Sequence, residues 1–243
     1  MAHGIPELVE RQVRFWRVQG ASSQTAPPNP CVALSRLPHS GAAEIGHALA
    51  ERLGYGFFGI EIVDQIAREQ GVARQLVEGL DEHVRNVIER YAVDALRGRM
   101  VTEAEYLSSL VRVIATLGER GGAVILGRGA SFILPPSRAL RVFLVAPREV
   151  RAARLVRVRG KTEQEARRLL EAEDADRIAF LRHHFEHNPD DAVFYDLSIN
   201  TGSFSSAQAV ELIVEALARR FPGCAAAASR SASTSTGSAA RME

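Results

Sequence analysis

Cysteine is scarce in this chain of 243 residues: Cys31 opens an apolar run and Cys224 lies far away in a low-complexity tail. That pattern excludes a disulfide framework, and the lack of any CxxC pair excludes the usual cysteine metal sites. Long apolar runs are missing too. No stretch approaches the ~20 uncharged residues of a membrane span, and the opening MAHGIPELVERQ carries acids where a signal peptide would be apolar. A cytoplasmic location is the expectation. Charge of one sign is also lacking. With a formal net charge of +1, no global field points to nucleic acid or a membrane, so any basic site must be local.

What is present suits a folded enzyme-sized body: 46% of residues are hydrophobic and 24% charged. Residues 5–18 predict a short amphipathic helix, followed by a Gly/Ser/Pro linker to residue 30. The tail from Gly223 to Glu243 is rich in Ala, Ser and Thr and is expected to be disordered. The folded domain is therefore expected over 31–222, with a helical insert at about 60–119 and a lid at about 154–187.

Within it, CVALS (31–35), GAVILG (122–127), RVFLVA (141–146) and DLSIN (196–200) read as strands. Their continuous apolar character suits parallel strands covered on both faces. Helices are expected after Gly41, over 60–70, near 81–97 and 103–119, after Pro147, from Thr162, and from Ser205 to Arg220. Thr102 and Thr162 each precede a glutamate by three residues, the capping-box spacing. Strands separated by helices predict an α/β fold, a three-layer sheet that is mostly parallel and carries a helical inserted lobe. Ligands of such sheets lie outside the carboxyl ends of the strands. Ser35–Ala43, Gly127–Ser131, the region after Ala146 and Gly202 should then share one crevice.

The segment VALSRLPHSGAAEIGHALAERLG (32–54) is a strand, a small-residue loop and a helix, the recipe for a phosphate cradle. Set against G-x-x-x-x-G-K-[ST], Gly41 fills the second glycine. Arg36 stands at the first glycine, Ala42 at the lysine and Ala43 at the hydroxyl position. By itself this reads more readily as an ordinary strand–helix turn.

Several segments in order resemble the cytidylate kinase-like family. Ser35, Arg36, Ser40, Gly41, Glu44, Ile45 and Gly46 match its phosphate loop, while His39 and Ala42 replace two glycines. ILGRGASFIL (125–134) resembles the family's G-R segment, with Gly129 where true cytidylate kinases carry Asp. RVFLVAPREVRAARL (141–155) resembles the entry to the lid helix, and EDADRIAFLRHHF (173–185) its D-x-x-R, with Asp174 and Arg177. YDLSINTGSFS (195–205) matches the family's Y-D-L-x-[IL]-N-T end, and Gly59 stands where relatives place an Asp. The resemblance spans about 6–222.

It implies a P-loop NTPase-like fold and a nucleoside monophosphate kinase, with ATP and Mg²⁺ as donor and CMP or dCMP as acceptor. Ser35, Arg36, His39, Ser40, Gly41, Ala42 and Ala43 would hold donor phosphates. Arg128 and Arg177 would bracket the acceptor and transferring groups, Arg154 would come from the lid, and Asp174 would orient the acceptor or a lid arginine. Arginine's planar fork suits phosphate oxygens. Arg151, Arg157, Arg159, Arg167 and Arg168 read instead as a solvated helix face or surface ion pairs.

The missing lysine leaves two function classes open: the kinase, or a non-catalytic nucleotide-binding or scaffold protein on the same fold. Arg36 is the candidate to replace the lysine. In HHFEH (183–187), His183 and His187 stand at i, i+4, but without a third ligand they read as a solvated helix end. The stripe Tyr106, Leu110, Val113, Ile114, Leu117 reads as core. The insert is either an acceptor-binding lobe or a dimer surface, so a homo-oligomer fits.

Overall fold

The computed structural model describes residues 29–68 and 101–224. The expected helix at 5–18, its linker, the helix near 81–97 and nearly all of the tail lie outside the described residues. Five strands, β1 (Cys31–Arg36), β2 (Gly56–Phe58), β3 (Ala123–Leu126), β4 (Ala139–Val145) and β5 (Leu197–Asn200), form one sheet in the order β2-β3-β1-β4-β5. Every pairing is parallel, with Leu34 flanked by Leu126 and Val142. The α/β expectation holds.

Central β1 shows why the sheet needs two helical layers. Successive side chains point to opposite faces. Val32 and Leu34 face α1 (Ala42–Leu53) and α7 (Ser206–Arg220), where Ile45, Leu49, Ile213 and Leu217 are buried. Cys31 and Ala33 face α2 (Ile60–Arg68), α3 (Val101–Arg120) and the short α4 (Ala130–Ile133), against Ile66, Leu110 and Ile114. Val113 and Leu117 join that second core, and Tyr106 packs at its edge.

A helical hairpin, α5 (Arg148–Arg159) and α6 (Glu163–Phe185), stands beside the sheet on a small core of its own, Ala152, Leu155, Ala166 and Leu170. The Thr162–Glu165 capping box starts α6, and Ser205 with Gln208 forms another at α7. Thr102, expected as a cap, is already inside α3, within the spread of helix ends. Strand β2 and helix α4 were not expected from the sequence.

One further expectation changes. Helix α6 ends at Phe185 and Glu186 turns left-handed, so His187 is not on the face of His183; it stacks on Phe194 at 4.5 Å. Among the described residues no three His, Cys, Asp or Glu side chains gather as a metal site. Nor is any described helix long and apolar enough to cross a membrane.

After β1 the chain leaves toward β2, and after β4 it leaves toward β5 on the other side. The ligand crevice of such a sheet falls where these directions diverge. That is the carboxyl end of β1.

Candidate functional site

At that end lies a cleft of about 1320 Å³, walled by the loop after β1, the turn after β3, the hairpin and the segment after β5. The loop makes its floor. Leu144 accepts a bond from the Leu37 amide at 3.0 Å, and the Ser40 amide donates back to Leu37 at 3.2 Å. Gly41 then takes a left-handed conformation, φ 85°, and α1 begins with no side-chain cap. A first helical turn has amides without intrahelical acceptors and a partial positive charge. Here Ala42, Ala43 and Glu44 line the cleft, so that turn opens into it. Ser40 is 1% exposed, and its Oγ has no hydrogen-bond partner among the described residues.

A threonine from the far strand end braces this loop. The Thr201 hydroxyl donates to the Ser40 carbonyl at 2.6 Å and accepts from Arg154 Nη1 at 3.0 Å. Arg154 Nη2 also donates to the Thr201 carbonyl at 2.6 Å. Arg154 therefore lies across the loop, 3.6 Å from where a Gly41 Cβ would stand. Any larger residue at Gly41 meets both this guanidinium and a strained φ.

The turn after β3 presents Arg128. Gly127, Arg128 and Gly129 are all left-handed, at φ 76°, 51° and 74°. Arg128 forks onto Asp64, Nε to Oδ1 at 2.6 Å and Nη2 to Oδ2 at 2.5 Å, and lies 5.1 Å from the Phe180 ring centre. Tyr106 donates to the same Asp64 oxygen at 2.7 Å. Burial first, then the Asp64 carboxylate, pushes the Tyr106 phenol well above its ordinary value. The hydroxyl therefore stays a donor.

Arg177 enters from α6. It pairs with Asp190 at 2.9 Å, donates to the Pro189 carbonyl at 3.2 Å and lies over Phe143. His39, left-handed at φ 58°, holds Glu173 at 2.7 Å through Nε2.

Arg36 differs from both arginines. It ends β1 inside the cleft, yet none of the hydrogen bonds or ion pairs among the described residues engages its guanidinium. Its pKa is lowered by burial first, then by Arg177 and Arg128. Three guanidinium groups thus converge closely enough to repel, and two of them carry their own carboxylate.

The structure therefore gathers Arg36, His39, Ser40, Gly41, Ala42, Ala43, Arg128, Arg154 and Arg177 around one cleft. Ser35 lines it too, its Oγ 3.1 Å from that of Ser131. Asp174 is not on its wall. Both of its oxygens are taken by Arg151, at 2.8 and 3.0 Å. Arg151 is no solvated helix residue but 5% exposed, and it reaches the Pro38 carbonyl at 3.3 Å. A part-buried pair thus joins both hairpin helices to the loop. Arg157 and Arg159 are exposed as expected, though they line the cleft mouth; Arg167 and Arg168 are exposed on α6.

Sequence reasoning missed Asp64, Tyr106, Glu173, Asp190 and the bracing role of Thr201. Thr201 and Glu173 lay in quoted motifs and Tyr106 in the stripe read as core, but none was given its partner; Asp64, 64 residues from Arg128, and Asp190, 13 from Arg177, leave no local signal.

Known proteins match this chain in sequence and in fold. The model of the cytidylate kinase-like family matches residues 31–203. A cytidylate kinase of Methanopyrus kandleri is 24% identical over 196 residues, covering 76% of this chain and 92% of that one. One of Exiguobacterium sibiricum is 33% identical over 150 residues, covering 51% and 67%. A uronate isomerase of Corynebacterium glutamicum is 35% identical over 102 residues, 42% of this chain, which spans only 20% of that relative. Among solved structures, an uncharacterized protein of Eubacterium ventriosum superposes with a TM-score of 0.59 at 19% identity, covering 78% and 98%, a likeness of fold. With the family model spanning sheet, loop and hairpin together, the chain belongs to the cytidylate kinase-like family.

Proposed function

We propose that this protein is a cytoplasmic nucleoside monophosphate kinase-like phosphotransferase that moves the γ-phosphoryl group of ATP to CMP or dCMP. One observation carries the reading: the uncapped first turn of α1 opens into the same cleft as arginines from β1, the β3 turn and both hairpin helices. Ser40, whose buried hydroxyl has no partner among the described residues, lies in the wall of that cleft and can supply a donor. Phosphoryl transfer requires in-line positioning and charge stabilisation, and little covalent chemistry from the protein.

In this reading the loop from Ser40 to Ala43 holds the donor phosphates. An oxygen of the acceptor phosphate attacks the γ-phosphorus, and the bond to the bridging oxygen breaks. ADP leaves with that electron pair. Arg128 and Arg177 hold the acceptor and transferring groups, and Arg154 closes over the donor. Asp174 acts through Arg151, by positioning the loop.

The donor set does not fit a protein-held Mg²⁺ at the loop. Ala42 and Ala43 offer no side-chain oxygen, and no described cluster of three acidic or metal-binding side chains stands in. Mg²⁺ would come with ATP as part of the substrate, ligated by phosphate and water.

Ala42 at the lysine position also supports a second reading, a protein that binds nucleotide without turnover. A coupled ADP-release assay with ATP against CMP, dCMP, UMP and AMP separates the two, run beside calorimetric ATP binding. Turnover with a cytidine nucleotide supports the kinase. ATP binding without turnover on any acceptor transfers support to the second reading, and absence of ATP binding removes both.

A further inference from the structure

We infer that Arg36 is the residue that reads nucleotide phosphate in this cleft, in place of the loop lysine. The inference rests on the phosphate-site reading above and assigns its central charge.

The chain has one lysine, Lys161, exposed just ahead of α6 and off the cleft wall. A fixed cation in the cleft therefore has to be an arginine. Arg128 and Arg177 are each neutralised in place, by Asp64 and Asp190. Arg154 spends both terminal nitrogens on Thr201. Arg36 has no such engagement among the described residues. Glu61 and Glu173 attract it from beyond ion-pair distance, and Glu173 is already held by His39 and Arg159.

A desolvated cation facing two others is unfavourable by itself and becomes favourable once an anion enters between them. Geometry points to the same ligand. Arg36 closes the central strand one short loop before the uncapped α1 turn and the orphaned Ser40 hydroxyl. A phosphate chain seated on that turn would share its cleft with Arg36, Arg128 and Arg177. The loop lysine of a P-loop approaches from the helix; here the charge arrives from the strand.

The test compares wild type with Arg36→Met and Arg36→Lys, measuring calorimetric affinity for ATP, ADP and adenosine, and melting temperature without ligand. Wild type is expected to bind ATP far more tightly than adenosine. Arg36→Met should lose at least about tenfold in ATP affinity, the scale of one charge-assisted contact, with adenosine unchanged. Arg36→Lys should recover part of the loss. Without ligand, Arg36→Met should melt at or above wild type, since an uncompensated charge has gone. A purely structural arginine would give the opposite shift, and a clear fall in melting temperature overturns the inference. So does unchanged ATP affinity in Arg36→Met, which leaves the phosphate site standing without Arg36. A wild type that binds no nucleotide overturns both.

Discussion

Asparagine at position 174 would keep the shape of the Asp174 side chain and remove its charge, leaving the Arg151 guanidinium without its counter-ion. Arg151 is 6% exposed at the side chain and Asp174 28%. Breaking a fully buried pair by removing one partner costs about 3–5 kcal/mol. Solvent at Asp174 screens part of this, so about 2–3 kcal/mol is expected for Asp174→Asn. In a domain of this size that lowers the melting temperature by roughly 5–10 °C. Because Arg151 also donates to Pro38, the phosphate loop loses a fixed point, and ATP affinity should fall with stability. A double variant, Arg151→Met with Asp174→Leu, should recover most of the stability, since apolar packing commonly replaces a buried pair without loss. It should not recover ATP affinity. Thermal denaturation followed by circular dichroism, with calorimetric ATP binding, measures both. An Asp174→Asn protein melting within about 1 °C of wild type would refute the claim that this buried charge depends on its partner.

Placing an acid at position 129 by Gly129→Asp should destabilise the fold rather than improve function. A Cβ there stands 2.2 Å from the Phe185 ring at φ 74°, and overpacking with backbone strain costs about 1–3 kcal/mol; urea unfolding of this variant and Gly129→Ala measures it. Asp196 provides the pH test. Burial, which works the other way, is outweighed by hydrogen bonds from the Arg141 side chain and amide, so its pKa is lowered. Its stabilising contribution is present above about pH 4 and is lost as pH falls through the depressed folded value. Asp196→Asn should therefore be less stable than wild type at pH 7, with the gap in urea midpoints closing toward pH 3. Finally, burial pushes the Cys31 thiol up to about 12. In a Cys224→Ser background, labelling of Cys31 by a thiol reagent at pH 8 should follow global unfolding, and rapid native-state labelling would contradict its placement.

The parts of the fold that were legible in the sequence are those whose signal is local. Strands β1, β3, β4 and β5 announce themselves as apolar runs, and the capping residues Thr162 and Ser205 mark helix starts. Strand β2 is only Gly56–Phe58 and α4 only Ala130–Ile133, too short for any periodicity to register. The site divides in the same way. The cradle from Ser35 to Ala43 is contiguous, and Arg128 is marked by the glycines on either side. Its partner Asp64 lies 64 residues away, the Glu173 that holds His39 lies 134 away, and the Thr201 that braces Ser40 lies 161 away. Such pairings are made by the sheet order, which no window of sequence contains. Arg151 was misread for a related reason: on a helix of many arginines, only tertiary packing selects the one that turns inward.

The reversed coil at Gly127–Arg128–Gly129 bears on how this cleft tolerates change. One backbone stretch wound against its natural hand throws a single guanidinium forward from the end of a buried strand. Its departure is therefore set by the main chain and by two residues without side chains, and Asp64 holds its far end. Exchanging Arg128 for another cation would leave the pointing device intact. Adding one methyl group beside it would turn the pointer away while every charge in the cleft stayed as it was.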